Sequence, residues 1–217
     1  MIIIDSGDGQ QSGNTRERAI ALGSGEMHHR VCPWWLGYLL ASPLRRLLQD
    51  PEEIMGPYVK KGMRVLDIGC GMGFFSLPIA RIVGKTGKVV CVDLQEKMIQ
   101  GLIRRSGKSG LSDRIDARTC QHNCLGLNDV AGKIDCALAF ALVHEVPDKK
   151  RLLSEISDAL KHAGKFLVAE PKAHVSRSDF DETVSIAQGV GFEVIDGPAI
   201  RRSHAILLRK PQKKNKS

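Results

Sequence analysis

The sequence predicts an α/β fold, a mostly parallel sheet with helices on both faces, and three observations carry that prediction. The runs Arg64–Ile68, Lys88–Asp93 and Ile134–Phe140 are short and largely apolar without strict alternation, as strands buried on both faces require. Amphipathic segments separate them, the pattern of parallel strands joined by crossover helices. Finally, Val65-Leu66-Asp67-Ile68 runs through Gly69-Cys70-Gly71-Met72-Gly73 into an apolar stretch from Phe74: a strand, a glycine turn and a helix start.

Taken in order, residues 1–26 are polar, rich in Gly, Ser, Gln and Asn, and without apolar period, so a flexible segment is expected. A helical prelude or cap follows over 27–60. Ser42-Pro43 reads as N-cap and first helical residue, with Leu44, Leu47 and Leu48 on one face. Asp50-Pro51-Glu52-Glu53 repeats the signal, Glu53 standing where a capping box needs it, and Gly56-Pro57 stops the prelude.

The main domain, 61–209, then alternates. Arg64–Ile68 is the first strand and Phe74–Val83 a helix, with Pro78 counting against its regularity. Lys88–Asp93 is a second buried strand, and Gln95–Ser106 a helix with Met98, Ile99, Leu102 and Ile103 on one face. Ile115–Cys120 is a weak third strand and Ile134–Phe140 a fourth. Asp148 caps a helix whose Leu152, Leu153, Ile156, Ala159 and Leu160 keep the helical period until Gly164. Lys165–Glu170 is a fifth strand, Ser178–Gln188 a helix, and Phe192–Ile195 with His204–Leu208 two closing strands. Right-handed crossovers place the strand C-termini, and any ligand crevice, along one edge.

The chain has 217 residues, 42% hydrophobic and 26% charged, room for one domain and its ends. Five cations of its net +8 charge fall in Arg209, Lys210, Lys213, Lys214 and Lys216. Residues 210–217 are therefore read as a basic flexible tail, and nucleic acid is not expected as a partner for the rest. No stretch reaches transmembrane length and the opening Met1-Ile2-Ile3-Ile4 is halted by Asp5, so a cytoplasmic protein is expected. Cysteines at 32, 70, 91, 120, 124 and 136 fit small apolar residues in a reducing compartment. Cys120 and Cys124 lack a matching second pair, and no metal site is expected. The oligomeric state is not readable.

The glycine loop discriminates between ligands. A dinucleotide fingerprint would place glycine sixth from Gly69, where Phe74 stands; a P-loop would need Lys-Ser/Thr where Phe74-Phe75 stand. What remains is Asp-x-Gly-x-Gly-x-Gly. The acid Asp67 would repel a pyrophosphate but suits a cationic ammonium head, directly or through water. Asp93 ends the second strand, where a carboxylate accepts from both hydroxyls of a ribose. An adenosine carrying an amino-acid tail satisfies both, which describes S-adenosyl-L-methionine.

On these residues the chain resembles the class I S-adenosylmethionine-dependent methyltransferases, in particular the small-molecule branch that includes the ubiquinone/menaquinone-biosynthesis type. The resemblance runs from about Val59 to Arg209 and rests on Val65–Gly73 and Val89–Asp93. It implies a Rossmann-like three-layer sandwich with seven strands in order 3-2-1-4-5-7-6, strand 7 antiparallel. It implies that Asp67, Gly69, Cys70, Gly71 and Gly73 line the methionine side, Asp93 the ribose and Leu94 the adenine, with Phe140 also in the cofactor site. Where the family carries an acid near the adenine amino group, this chain reads Cys120-Gln121-His122-Asn123, so Asn123 or Gln121 would accept that hydrogen bond through an amide oxygen.

Methyl transfer requires the protein to align a nucleophile, exclude water and sometimes take a proton. In Phe140-Ala141-Leu142-Val143-His144-Glu145, beside the crevice edge, His144 and Glu145 are the candidate general bases. In many relatives a histidine here shapes the pocket instead. The aromatic prelude, with His28, Trp34, Trp35 and Tyr38, offers candidate walls for a small-molecule acceptor, or an anchor for the prelude itself. An RNA or protein methyltransferase and a non-catalytic cofactor-binding protein are the alternatives. No Asn/Asp-Pro-Pro-Tyr/Phe motif, typical of methylators of base and glutamine amino groups, follows the fourth strand.

Overall fold

Valine, leucine and isoleucine runs with no polar face must be covered on both sides, and the computed structural model, which describes residues 49–213, covers them with five helices. The prelude up to residue 48, including Ser42-Pro43, lies outside the described residues. In chain order the elements are α1 (Pro51–Met55), β1 (Arg64–Ile68), α2 (Ser76–Val83), β2 (Lys88–Asp93), α3 (Glu96–Lys108) and β3 (Ile115–Thr119). They continue with β4 (Ile134–Phe140), α4 (Lys149–Ala159), β5 (Leu160–Pro171), α5 (Arg177–Val190), β6 (Glu193–Asp196) and β7 (Ser203–Arg209).

The seven strands form one sheet in the order β3-β2-β1-β4-β5-β7-β6. All neighbours are parallel except β7, which runs antiparallel to both β5 and β6. β1 is central: Val65 faces Val89 on one side and Cys136 on the other. The pleat splits the core in two. Leu66, Ile68, Ala137, Phe166 and Val168 pack under α4 and α5. Val65, Val89, Cys136, Leu138 and Leu167 pack under α1, α2 and α3.

Several boundaries differ from the sequence reading for local reasons. The first long helix begins at Ser76, not Phe74, because Phe74 and Phe75 complete the turn; the Phe75 ring packs 4.6 Å from that of Phe140. Asp148 does cap α4, its carboxylate accepting the Arg151 N–H at 2.9 Å. That helix stops at Ala159, because Leu160 turns to extended backbone and pairs with Ile134. At α1 the observed cap is Asp50, which accepts from the Glu52 N–H at 2.9 Å.

The tail begins later than its charge suggests. Arg209 belongs to β7 and pairs with Glu193 at 2.6 Å. Lys210 donates through Nζ to the carbonyls of Ser157 at 2.6 Å and Leu160 at 2.9 Å, closing the end of α4. Lys210, assigned to the flexible tail, thus serves the fold. No helix among the described residues is long and apolar enough to cross a membrane.

Candidate functional site

The parallel strands deliver β1, β2, β4 and β5 to one edge, and each ends in a turn carrying chemistry. After β1 the chain turns through Gly69, Gly71 and Gly73, all at positive φ (68°, 53° and 82°), where residues with a Cβ are strained. The absent side chains serve different purposes. A Cβ on Gly69 would stand 2.8 Å from Leu142, and one on Gly73 would stand 2.4 Å from Leu102 of α3. These two glycines admit close packing. A Cβ on Gly71 would meet no atom within 4 Å among the described residues, so only this glycine leaves its face free for a ligand's approach.

The loop hangs from β2. Val92 accepts the N–H groups of Gly69 and Cys70 at 2.9 and 3.1 Å, and Asp93 Oδ2 accepts that of Gly71 at 2.9 Å. Asp93 Oδ1 accepts the Gln95 N–H at 2.9 Å, opening α3, and Arg105 of that helix donates to the Met72 carbonyl. Burial pushes the Asp93 carboxyl up, and the amides of Gln95, Gly71 and Leu94 oppose that shift. Each carboxylate oxygen retains acceptor capacity for a hydroxyl.

Asp67 is 3% exposed and receives the Ser76 hydroxyl at 2.5 Å, an interaction the sequence reading missed because Ser76 there sat inside a helix. Cys70 is buried, and burial holds its thiol well above the ordinary range, so it packs as a small neutral residue. Leu94 is half-buried beside Asp93, and Asn123 is exposed in the tight turn that Gln121 and Cys124 close. The Cys120 N–H donates to the Asp93 carbonyl at 3.0 Å, which draws that turn to the end of β2. Phe140 is buried against Phe75. The loop, Asp93, Leu94, the Asn123 turn and Phe140 therefore share one edge. His28, Trp34, Trp35 and Tyr38 lie outside the described residues.

His144 and Glu145 lie in a short 3₁₀ turn, Val143–Glu145, directly after β4. The residue unforeseen by the sequence reading is Glu170 near the end of β5, 1% exposed, whose Oε2 lies 2.5 Å from His144 Nδ1. Its signal was available: an acid closing an apolar strand, as Asp93 does. That hydrogen bond pushes the His144 pKa up, against burial. Desolvation pushes the Glu145 carboxyl up, and His144 opposes it. Among the described residues no three His, Cys, Asp or Glu are grouped to hold a metal ion.

A helix-covered sheet of this strand order, with a glycine loop after β1 and an acid ending β2, defines the nucleoside-cofactor class of α/β transferases. The comparisons with known proteins narrow it. A family model described as a methyltransferase domain matches residues 59–197, and the chain belongs to that family. The ubiquinone/menaquinone biosynthesis C-methyltransferase of Haemophilus ducreyi is 30% identical over 137 residues, covering 63% of this chain and 51% of that protein. The chain thus spans about half the length of that relative. A methyltransferase structure from Aquifex aeolicus, described as S-adenosylmethionine-dependent, has a TM-score of 0.75 at 22% identity, covering 83% of this chain and all of that one. Phosphoethanolamine N-methyltransferase 2 of Haemonchus contortus, solved with S-adenosylmethionine, has a TM-score of 0.60 at 19% identity, covering 75% and 52% of the two chains.

Proposed function

We propose that this chain transfers a methyl group from S-adenosyl-L-methionine to a small-molecule acceptor by in-line displacement. The observation that carries the reading is the pairing of Gly71, which leaves its face free, with Asp93, whose carboxylate both holds the loop and retains acceptor capacity. When bound, the cofactor supplies an electrophilic methyl on a sulfonium. In this reading Gly69, Cys70, Gly71 and Gly73 shape the turn on the methionine side, and the buried Asp67 favours the ammonium electrostatically. Asp93 accepts from the ribose, while Leu94, Asn123 and Phe140 bound the adenosine.

His144 is the better-placed proton acceptor, since Glu145 is its neighbour without a comparable buried partner among the hydrogen bonds of the site. A small-molecule acceptor is favoured by the ubiquinone/menaquinone relative and by the engagement of Arg209 and Lys210 within the fold, which weakens a nucleic-acid-binding tail. A cytoplasmic location accords with this reading.

Calorimetric titration with S-adenosylhomocysteine tests the cofactor, and absence of binding to the wild-type chain would sink the proposal. Incubation with methyl-labelled S-adenosylmethionine and a fractionated cell extract tests the acceptor class. Label in the small-molecule fraction is expected; label confined to RNA or protein would overturn that part.

A further inference from the structure

Glu170 is nearly inaccessible, yet it has no role in the cofactor reading above. Its two oxygens meet one turn: Oε1 accepts the Val143 N–H at 2.7 Å and Oε2 faces His144 Nδ1 at 2.5 Å. We propose that Glu170 is a positioning residue that holds His144 as its Nδ1–H tautomer, so that Nε2 is presented outward as a proton acceptor for the methyl-accepting molecule. The inference rests on the methyl-transfer reading, because such a group has a task only where an acceptor atom gains a methyl and sheds a proton.

The tautomer follows from the donor inventory. The Val143 N–H can only donate, so Oε1 is fixed as an acceptor. A carboxylate oxygen only accepts, so across the 2.5 Å contact Oε2 takes the hydrogen bond and Nδ1 of the imidazole carries the proton. Nδ1 then donates to the carboxylate, and Nε2 keeps its lone pair in the neutral ring. Nε2 occupies the other edge of the ring, has no hydrogen-bond partner among the described residues, and belongs to a side chain 23% exposed.

The sheet supplies the rigidity. Phe140 of β4 pairs with Ala169 of β5, and the Ala141 N–H donates to the Ala169 carbonyl at 2.7 Å. The chain leaves β4 through Ala141 at a φ of 55°, a left-handed conformation strained for a non-glycine residue, and the turn it creates brings His144 against Glu170. The same turn touches the glycine loop, since Leu142 fills the space beside Gly69. The turn that carries His144 therefore borders both the buried acid and the glycine loop.

In the step served, the acceptor atom forms its bond to the methyl carbon and the carbon–sulfur bond breaks with its electron pair on sulfur. The proton released by the acceptor moves to Nε2, leaving an imidazolium whose Nδ1–H still faces the Glu170 carboxylate. The charged and titratable groups around His144 are Glu170 from β5, Glu145 from its own turn, Lys149 from the start of α4 and the His174 ring at 6.2 Å. Glu170 outweighs the others and favours the protonated ring. Proton acceptance accordingly grows as pH rises through a value above that of an ordinary histidine.

The test is a long-range proton–nitrogen correlation spectrum of the full chain carrying nitrogen-15 histidine, between about pH 5 and 9. His144→Gln assigns the signals. The wild type is expected to show the Nδ1–H tautomer for neutral His144, with a midpoint above about 6.5. In Glu170→Gln the side-chain amide donates to Nδ1, so the tautomer should reverse and the midpoint should fall. A wild-type His144 in the Nε2–H tautomer would overturn the inference without any variant, so a poorly folded Glu170→Gln cannot shield it. An unchanged tautomer and midpoint in a folded Glu170→Gln would do the same. Calorimetry with S-adenosylhomocysteine on the same samples separates the two readings: a wild type that binds it but shows the wrong tautomer refutes the pair alone, and one that does not bind refutes methyl transfer itself.

Discussion

Gly71 donates its backbone N–H to Asp93 Oδ2 at 2.9 Å, so the glycine loop after β1 is tied to the last residue of β2. One carboxylate thereby links the two motifs that point to a nucleoside cofactor. It also opens α3 through Gln95, which makes Asp93 a structural hub as well as a ligand candidate.

Asp93→Ala removes both backbone contacts and the ribose acceptors. S-adenosylhomocysteine affinity should fall by about 1–3 kcal/mol, roughly five- to 150-fold in Kd. Calorimetry at constant salt measures it. Unchanged affinity would mean that the ribose is held elsewhere.

Gly71 and Gly73 should fail in opposite ways. Gly71→Val places its Cβ where no described atom stands within 4 Å, so the fold should survive with a backbone strain of about 1–2 kcal/mol while cofactor binding is lost. Gly73→Ala drives a Cβ to within 2.4 Å of Leu102 and should lower the melting temperature more than Gly71→Ala does. Thermal unfolding and calorimetry on these variants decide it; retained binding in Gly71→Val would refute the placement of the ligand.

Ser76→Ala withdraws the hydroxyl that Asp67 accepts in a buried setting, where a lost partner costs about 1–3 kcal/mol. The urea midpoint should drop with an unchanged m-value. An unmoved midpoint would show that the other contacts of Asp67 suffice.

The His144–Glu170 pair should make stability pH-dependent. The folded pKa of His144 is raised, so its contribution is complete below the unfolded value of about 6.5 and is lost as pH rises through the folded value. The stability gap between wild type and His144→Gln should therefore be widest near pH 6 and narrow by about pH 9. Urea titrations at both values check the sign; a gap that widens with pH would contradict the pairing.

Much of the fold was legible because the sheet is parallel and doubly covered. Strands such as Lys88–Asp93 and Ile134–Phe140 read as largely apolar runs, and their observed bounds match the expected ones. Ends were less legible where tertiary pairing competes with local propensity. Leu160 continues a helical period, yet it joins β5 because Ile134 waits beside it. Lys210 carries the signature of a solvated tail, but the carbonyls of Ser157 and Leu160 at the end of α4 claim its ammonium.

The sequence by itself determined the sheet, the glycine loop and the acid of β2, because each is written in a contiguous stretch of a few residues whose chemistry is local. Only the tertiary structure decided what those residues touch. Gly73 proved to make room for Leu102, Asp67 to be held by Ser76, and His144 to be held by Glu170, 26 residues further along the chain. The physical reason is strand register: pairing Phe140 with Ala169 sets the turn after β4 against the end of β5, and no periodicity in either segment encodes that neighbour.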